Sequence, residues 1–150
     1  MKIAPEHSED RVLGLMGKPG CDQDALIRFK ELFYRFTGEA GLKQYLTYYL
    51  MAAHPGCDLN DMKKLRAFAL KELGTVPEQV QVFTPTPSTY STLMYWTGRD
   101  PFTGNPCFVE KSVRGREAQK AVLSSQGCGS GKRGAGVEKR RWFKPGRYRS

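Results

Sequence analysis

Residues 44–56, "QYLTYYLMAAHPG", decide the fold. Their nearly continuous apolar run predicts a strand buried on both faces, the pattern of a parallel sheet. Pro55 and Gly56 end it. Asp58 then stands where a helix N-cap belongs, and Asp61 lies where its charge suits the positive end of a helix. Met62, Leu65, Phe68, Ala69 and Leu73 recur at helical spacing, and Gly74 closes the helix. A second short apolar strand, "VQVFT" at 80–84, follows "TVPEQ". Strand, helix and strand over about forty residues make a βαβ unit with a right-handed crossover. Ligands of such units lie beyond the carboxyl ends of the strands, here at 53–57 and 83–87.

Upstream, "MKIA" reads as the last residues of a strand ended by Pro5, so a fragment of a longer chain is expected. A short helix is predicted over Glu9–Met16 with Ser8 as N-cap. A longer one opens at Asp22 or Asp24, with Leu26, Phe29, Leu32, Phe33 and Phe36 as its apolar stripe and Gly38 and Gly41 at its end. Downstream, 85–106 is rich in proline and aromatic residues and predicts ordered loop with a helical turn near Ser91–Trp96. "CFVEKS" has extended character, and Val113–Ser125 has helical composition. Three regions are expected: an α/β unit over 1–86, an extension of loops and a helix over 87–125, and a disordered basic tail over 126–150.

The net charge of +9 belongs largely to that tail, where eight Lys/Arg face one acid. Residues 1–125 carry sixteen Lys/Arg and fourteen acids. The Gly/Arg-rich tail has too few aliphatic residues to offset its ordering entropy. The four cysteines, at 21, 57, 107 and 128, include no C-x-x-C pair, which excludes a zinc signature or disulfide framework and fits reduced thiols. No apolar stretch approaches the ~20 residues of a membrane span. The start lacks a signal peptide's basic and apolar regions, so cytoplasm is the expected compartment.

Three segments, "IAPEHSEDRVLGLMGKPG", "YYLMAAHPGCDLNDM" and "VQVFTPTPSTYSTLMYWTG", together with "FVEKSVRGREAQKAVL", resemble the C-terminal half of a YgiQ-type radical SAM enzyme. The resemblance implies an α/β fold, the closing half of a (β/α) barrel with parallel strands and helical crossovers. It also implies S-adenosylmethionine and a [4Fe–4S] cluster at the carboxyl ends of the strands, and reductive cleavage of that cofactor to a 5′-deoxyadenosyl radical. The family's C-x-x-x-C-x-x-C cluster motif does not occur in this chain. Three close thiolates are needed to leave one iron open for the cofactor. No metal ligands are therefore assigned, and a truncated or frameshifted reading frame lacking the first half of the barrel is the expected explanation.

The resemblance also implies cofactor-binding positions. Glu6 would accept from a ribose hydroxyl, against the simpler reading of an acid near a helix start. Lys18 would face the methionyl carboxylate, or is an ordinary loop lysine. Tyr49 stands where some relatives carry an acid that contacts ribose, and the residue alone reads as core. Met51, which alternation places on the face of Tyr49 and Ala53, would pack on adenine or fill core. Gly56 matches a turn that approaches a ligand or needs positive φ. Phe83, Thr84 and Thr86 would present backbone to the adenine edge. His54 reads as ordering its turn by hydrogen bonding, with His7 near it. Tyr90, Tyr95 and Trp96 read as packing before substrate stacking.

A competing reading is a nucleic-acid-binding protein whose tail stacks Trp142, Phe143 and Tyr148 among basic residues. Strong salt dependence that vanishes with the tail would mark it. Deleting 126–150 is expected to leave the thermal unfolding midpoint nearly unchanged while lowering the isoelectric point sharply. A large loss of stability would instead show that the tail docks onto the domain.

Overall fold

The computed structural model describes residues 1–76 and 80–124. The expectations for 126–150 lie outside them. Among the described residues the elements are β1 (Lys2–Glu6), α1 (Asp10–Leu15), α2 (Gln23–Glu39), β2 (Thr47–Ala52), α3 (Leu59–Phe68), β3 (Val80–Val82), α4 (Tyr90–Thr97) and α5 (Val113–Ser124). The three strands form one sheet in the order β1-β2-β3, and both pairings are parallel. This is the α/β arrangement expected, with the carboxyl ends of all three strands on one rim. No helix among the described residues is long and apolar enough to cross a membrane.

β1 runs two residues further than Pro5 allowed in the sequence reading. Ile3 pairs with Tyr48 and Glu6 with Leu50, so β1 holds one extra residue across this step. Proline has no N–H to donate to the ladder, and a bulge is where a strand tolerates it. α1 starts after Glu9, which makes no side-chain cap bond, and Ser8 is buried instead of capping.

β2 is covered on one face, not two. Tyr48, Leu50 and Ala52 are buried, while Tyr49 and Met51 on the opposite face are half-buried. Leu50 and Ala52 pack with Val12, Cys57, Met62, Leu65, Val80 and Leu123. Tyr48 packs with Leu46, Phe68, Ala69 and Leu73, against which Leu26, Ile27 and Phe33 of α2 lean. The apolar run therefore misled. Tyr49 and Met51 are only partly covered among the described residues.

α2 is capped by Asp22, whose Oδ1 accepts from the Ala25 N–H at 2.8 Å. Its inward face differs from the predicted stripe: Phe29 and Phe36 are exposed, and no residue of the helix is fully buried. Leu26, Ile27, Leu32 and Phe33 are half-buried instead, while Lys30 donates to the Glu72 carbonyl and the exposed Tyr34 accepts from the Leu46 N–H through its hydroxyl.

α3 follows its sequence signals closely. Asp58 Oδ1 accepts from the N–H groups of Asn60 (2.7 Å) and Asp61 (2.9 Å), and Asp61 Oδ2 accepts from the Asp58 N–H at 3.0 Å. That reciprocal box satisfies donors that the first turn leaves free. The helix widens into a π turn over Ala69–Leu73 and stops at Gly74, whose φ is 71°. α5 packs along α3 and β3 and buries Gln119 and Leu123. "CFVEKS" forms no strand; Arg99 and Pro106 make an isolated antiparallel bridge instead.

Leu50 is 1% exposed at the centre of the larger core cluster. Leu50→Ala is expected to cost about 2–5 kcal/mol in urea unfolding. Met51→Ala, on the half-covered face, should cost markedly less. Equal losses would mean that both faces of β2 are packed.

Candidate functional site

The rim is built by the segments that leave the three strands. After β1, Glu6 takes a left-handed conformation (φ 64°). Lys18, in the loop after α1, places Nζ 3.2 Å from Glu6 Oε2 and donates to the Ala4 carbonyl at 3.0 Å. These two predicted residues are thus brought together as an ion pair. Tyr49 and Met51 stand on the half-covered face of β2, and Lys2 Nζ lies 5.4 Å from the Tyr49 ring centroid. After β3, the Phe83 N–H donates to the Ala52 carbonyl at 2.8 Å, and Thr84 and Thr86 are exposed.

Gly56 is at the rim but covered. Its φ is 88°, and an added Cβ would lie 2.2 Å from Leu15 Cδ1. Its N–H donates to the Phe108 carbonyl at 2.7 Å. The positive φ is what favours glycine here, and the Leu15 methyl packed against it would have to shift for any side chain.

Beside the rim lies a buried polar network that the sequence reading missed. Gln119 Oε1 accepts from the Ala53 N–H at 3.0 Å, and its Nε2 donates to the Cys57 carbonyl at 3.1 Å. Cys57 Sγ is 3.5 Å from Gln119 Oε1 and 3.5 Å from His7 Nε2. His7 Nδ1 accepts from the Glu9 N–H at 3.1 Å, so its neutral ring carries the proton on Nε2, toward the sulfur. Asp61 closes the outer side through Arg11, whose Nη2 lies 2.6 Å from Oδ2 while Nη1 donates to the Gly56 carbonyl at 2.7 Å.

Burial decides the charge states. It lowers the His7 pKa from 6.5 to about 4, against the pull of Asp61. It pushes the Cys57 thiol up to about 12, and Asp61 adds to the rise. At neutral pH the pair is imidazole and thiol, with no nucleophilic thiolate. His54 is also held neutral by burial. Its Nδ1 donates to the Pro55 carbonyl and its Nε2 accepts from the Ser91 hydroxyl, both at 2.8 Å. His54 orders its turn, as read from the sequence, and also ties the turn to α4.

Of the aromatics, Tyr95 packs against Phe83 (6.0 Å between centroids), whereas Tyr90 and Trp96 are 62% and 69% exposed. Tyr90 still packs on Phe102 (4.6 Å) and Trp96 lies edge-on to Tyr95 (5.4 Å), so these two are surface packing contacts and only Tyr95 reaches the rim residue Phe83. Among the described residues, no group of three or more His, Cys, Asp and Glu converges to hold a metal ion. Cys21 is exposed, and Cys57 is enclosed beside His7, so the described thiols do not fit a [4Fe–4S] cluster.

One signal for the missed network is visible in retrospect. Gln119 stands four residues before Leu123, on the inward stripe of α5, where a polar residue needs an internal partner.

The chain is similar to UPF0313 proteins, and a family model described as a domain of unknown function, DUF3362, matches residues 78–127. It is 56% identical over 126 residues to a UPF0313 protein of Fusobacterium nucleatum, an alignment covering 84% of this chain and 22% of that protein. It is 51% identical over 123 residues to one of Geobacter sulfurreducens, covering 82% and 20%. One of Methanosarcina acetivorans is 46% identical over 123 residues, covering 82% and 16%. The chain thus spans about a fifth of the length of the curated relatives it matches. No solved structure matches it.

The low pKa of His7 makes a signed prediction. A histidine ionising near 4 when folded and near 6.5 when unfolded contributes stability that is complete above pH 6.5. That contribution, about 3 kcal/mol at full extent, is lost as the pH falls toward 4. Urea midpoints measured from pH 7.5 to 4 should fall, and His7→Asn should flatten the fall. An unchanged slope in that variant would assign the acid sensitivity elsewhere.

Proposed function

We propose that this chain carries the closing part of a YgiQ-type radical SAM barrel and supplies one wall of its S-adenosylmethionine pocket. The observation that carries the reading is the rim. Three parallel strands in chain order bring Glu6, Lys18, Met51 and Phe83 to one end of one sheet, in a chain more than half identical to a UPF0313 protein. UPF0313 is the YgiQ-type family, and the segments that resemble radical SAM enzymes fall on this rim.

The half-covered face of β2 offers Tyr49 and Met51 as apolar surface for the adenosyl group. Glu6 accepts from a ribose hydroxyl there, and Lys18 faces a carboxylate while balancing Glu6 when none is bound. Thr84 and Thr86 offer backbone groups beyond β3. Gly56 acts through packing, because Leu15 and Phe108 cover it. When bound, S-adenosylmethionine supplies the adenosyl group and a [4Fe–4S] cluster the electron. The C-x-x-x-C-x-x-C motif does not occur in this sequence, so on this reading the cluster's ligands and the remaining strands are supplied by another part of the barrel.

The second reading, nucleic-acid binding, rests on the charge of 126–150 alone. It predicts RNA affinity that falls steeply with salt and vanishes when 126–150 are deleted.

Amide spectra of the chain titrated with S-adenosylmethionine to millimolar concentration test the first. Shifts confined to 4–18, 49–57 and 83–86 are expected, with weak affinity because the wall is partial. No shifts, or shifts centred elsewhere, would overturn the assignment. Anaerobic reconstitution with iron and sulfide is expected to leave the chain without a stoichiometric cluster. A stable cluster would place the ligands in this chain and overturn the division of labour.

A further inference from the structure

Loop 53–57 is the most tethered backbone on the rim, and its tethers come largely from one stretch of chain. Gln119 bonds the Ala53 N–H and the Cys57 carbonyl. Ser91 donates to His54, and the Phe108 carbonyl accepts from Gly56. The Phe83 ring lies edge-on to His54 at 5.1 Å. All four residues belong to 78–127, the stretch that matches DUF3362. From elsewhere, Arg11 adds a bond to the Gly56 carbonyl.

We propose that residues 83–119, within the stretch matching DUF3362, act as a clamp that sets the conformation of rim loop 53–57, with Gln119 as its positioning residue. The loop needs one. Ala53 is left-handed at φ 58°, a conformation that a residue with a Cβ keeps only when its surroundings hold it there. Gln119 spans the loop from its first amide to its last carbonyl with one planar group. An amide offers donor and acceptor together without charge, which suits a side chain 2% exposed. A carboxylate would lose the donor and bury a charge, and an apolar chain would lose both bonds. Leu123, one turn further along α5, packs into the core but makes none of these bonds. The two residues therefore separate clamping from helix packing.

The clamp does not depend on which ligand the rim takes, so loss of S-adenosylmethionine binding would leave it standing. Cys57 reports on it. The thiol is fully enclosed, and alkylation proceeds through the thiolate, so labelling requires the loop to open. Iodoacetamide labelling of the full chain, resolved by peptide mass, compares Cys57 with the exposed Cys21. Gln119→Ala and Gln119→Met are each expected to raise Cys57 labelling at least ~10-fold relative to Cys21, through local and not global opening. Leu123→Ala is expected to lower the unfolding midpoint without that selectivity. Gln119→Met keeps the volume, so it carries the test if Gln119→Ala fails to fold. Wild-type labelling in Gln119→Met would overturn the clamp, because packing alone would then hold the loop. Equally selective opening in Leu123→Ala would overturn it too.

Discussion

The rim depends on Ala53 adopting a conformation that an alanine does not choose. The left-handed region costs an L-residue about 1–2 kcal/mol. At Ala53 it ends β2 and turns the chain sharply, so that His54 meets Ser91 while Cys57, three residues on, meets His7. The Cys57 N–H closes the turn onto the His54 carbonyl at 2.9 Å. Without that turn Asp58 would not stand at the start of α3, and the reciprocal cap with Asp61 could not form. One strained residue thus sets the exit of a strand, the entry of a helix and the position of two histidines.

The sheet itself is one-sided. Helices α2, α3 and α5 cover the face of Tyr48, Leu50 and Ala52, and the opposite face keeps Tyr49 and Met51 partly open. Among the described residues β1 pairs only with β2, which leaves its outer edge as a row of unpaired backbone groups. Phe29 and Phe36 of α2 are exposed as well. Open edge, open face and exposed aromatics each call for a covering element. This is the surface expected of a wall in the proposed barrel, and it also explains why the strand read as doubly buried in the sequence.

Local chemistry was legible, and non-local chemistry was not. The α3 cap, the glycine that ends it and the parallel order of the strands all follow from residues close in sequence, where spacing alone carries the information. The bulge at Pro5 and the placement of α2 involve partners beyond the local window: β2 for β1, Glu72 for Lys30 across 42 residues, and Leu46 for Tyr34 across 12. Hydrophobicity assigned Phe29, Phe33 and Phe36 inward alike, and only Phe33 leans on the core. In the site, the strand ends showed that Glu6, Met51 and Phe83 stand at one end of the sheet. The Gln119 network joins α5 to loop 53–57 across 62 and 66 residues, a distance over which no spacing rule reads.

The polar contacts of the rim divide by dielectric. Arg11–Asp61 joins a 58% exposed guanidinium to a buried carboxylate, whose burial the Arg11 charge and the Asp58 N–H compensate, whereas Lys18–Glu6 is a part-solvated pair. Such pairs are individually worth little and can exchange partners. The inner contacts of His7, Cys57, Gln119 and His54 are all between neutral groups, because burial has shifted each titrating member away from its charged form. A neutral network is unmoved by salt, and it holds its geometry across the physiological pH range. A charged rim over a neutral frame therefore separates two tasks. The frame keeps loop 53–57 in place, and the proposed ligand contacts fall to the part-solvated Glu6–Lys18 pair outside it.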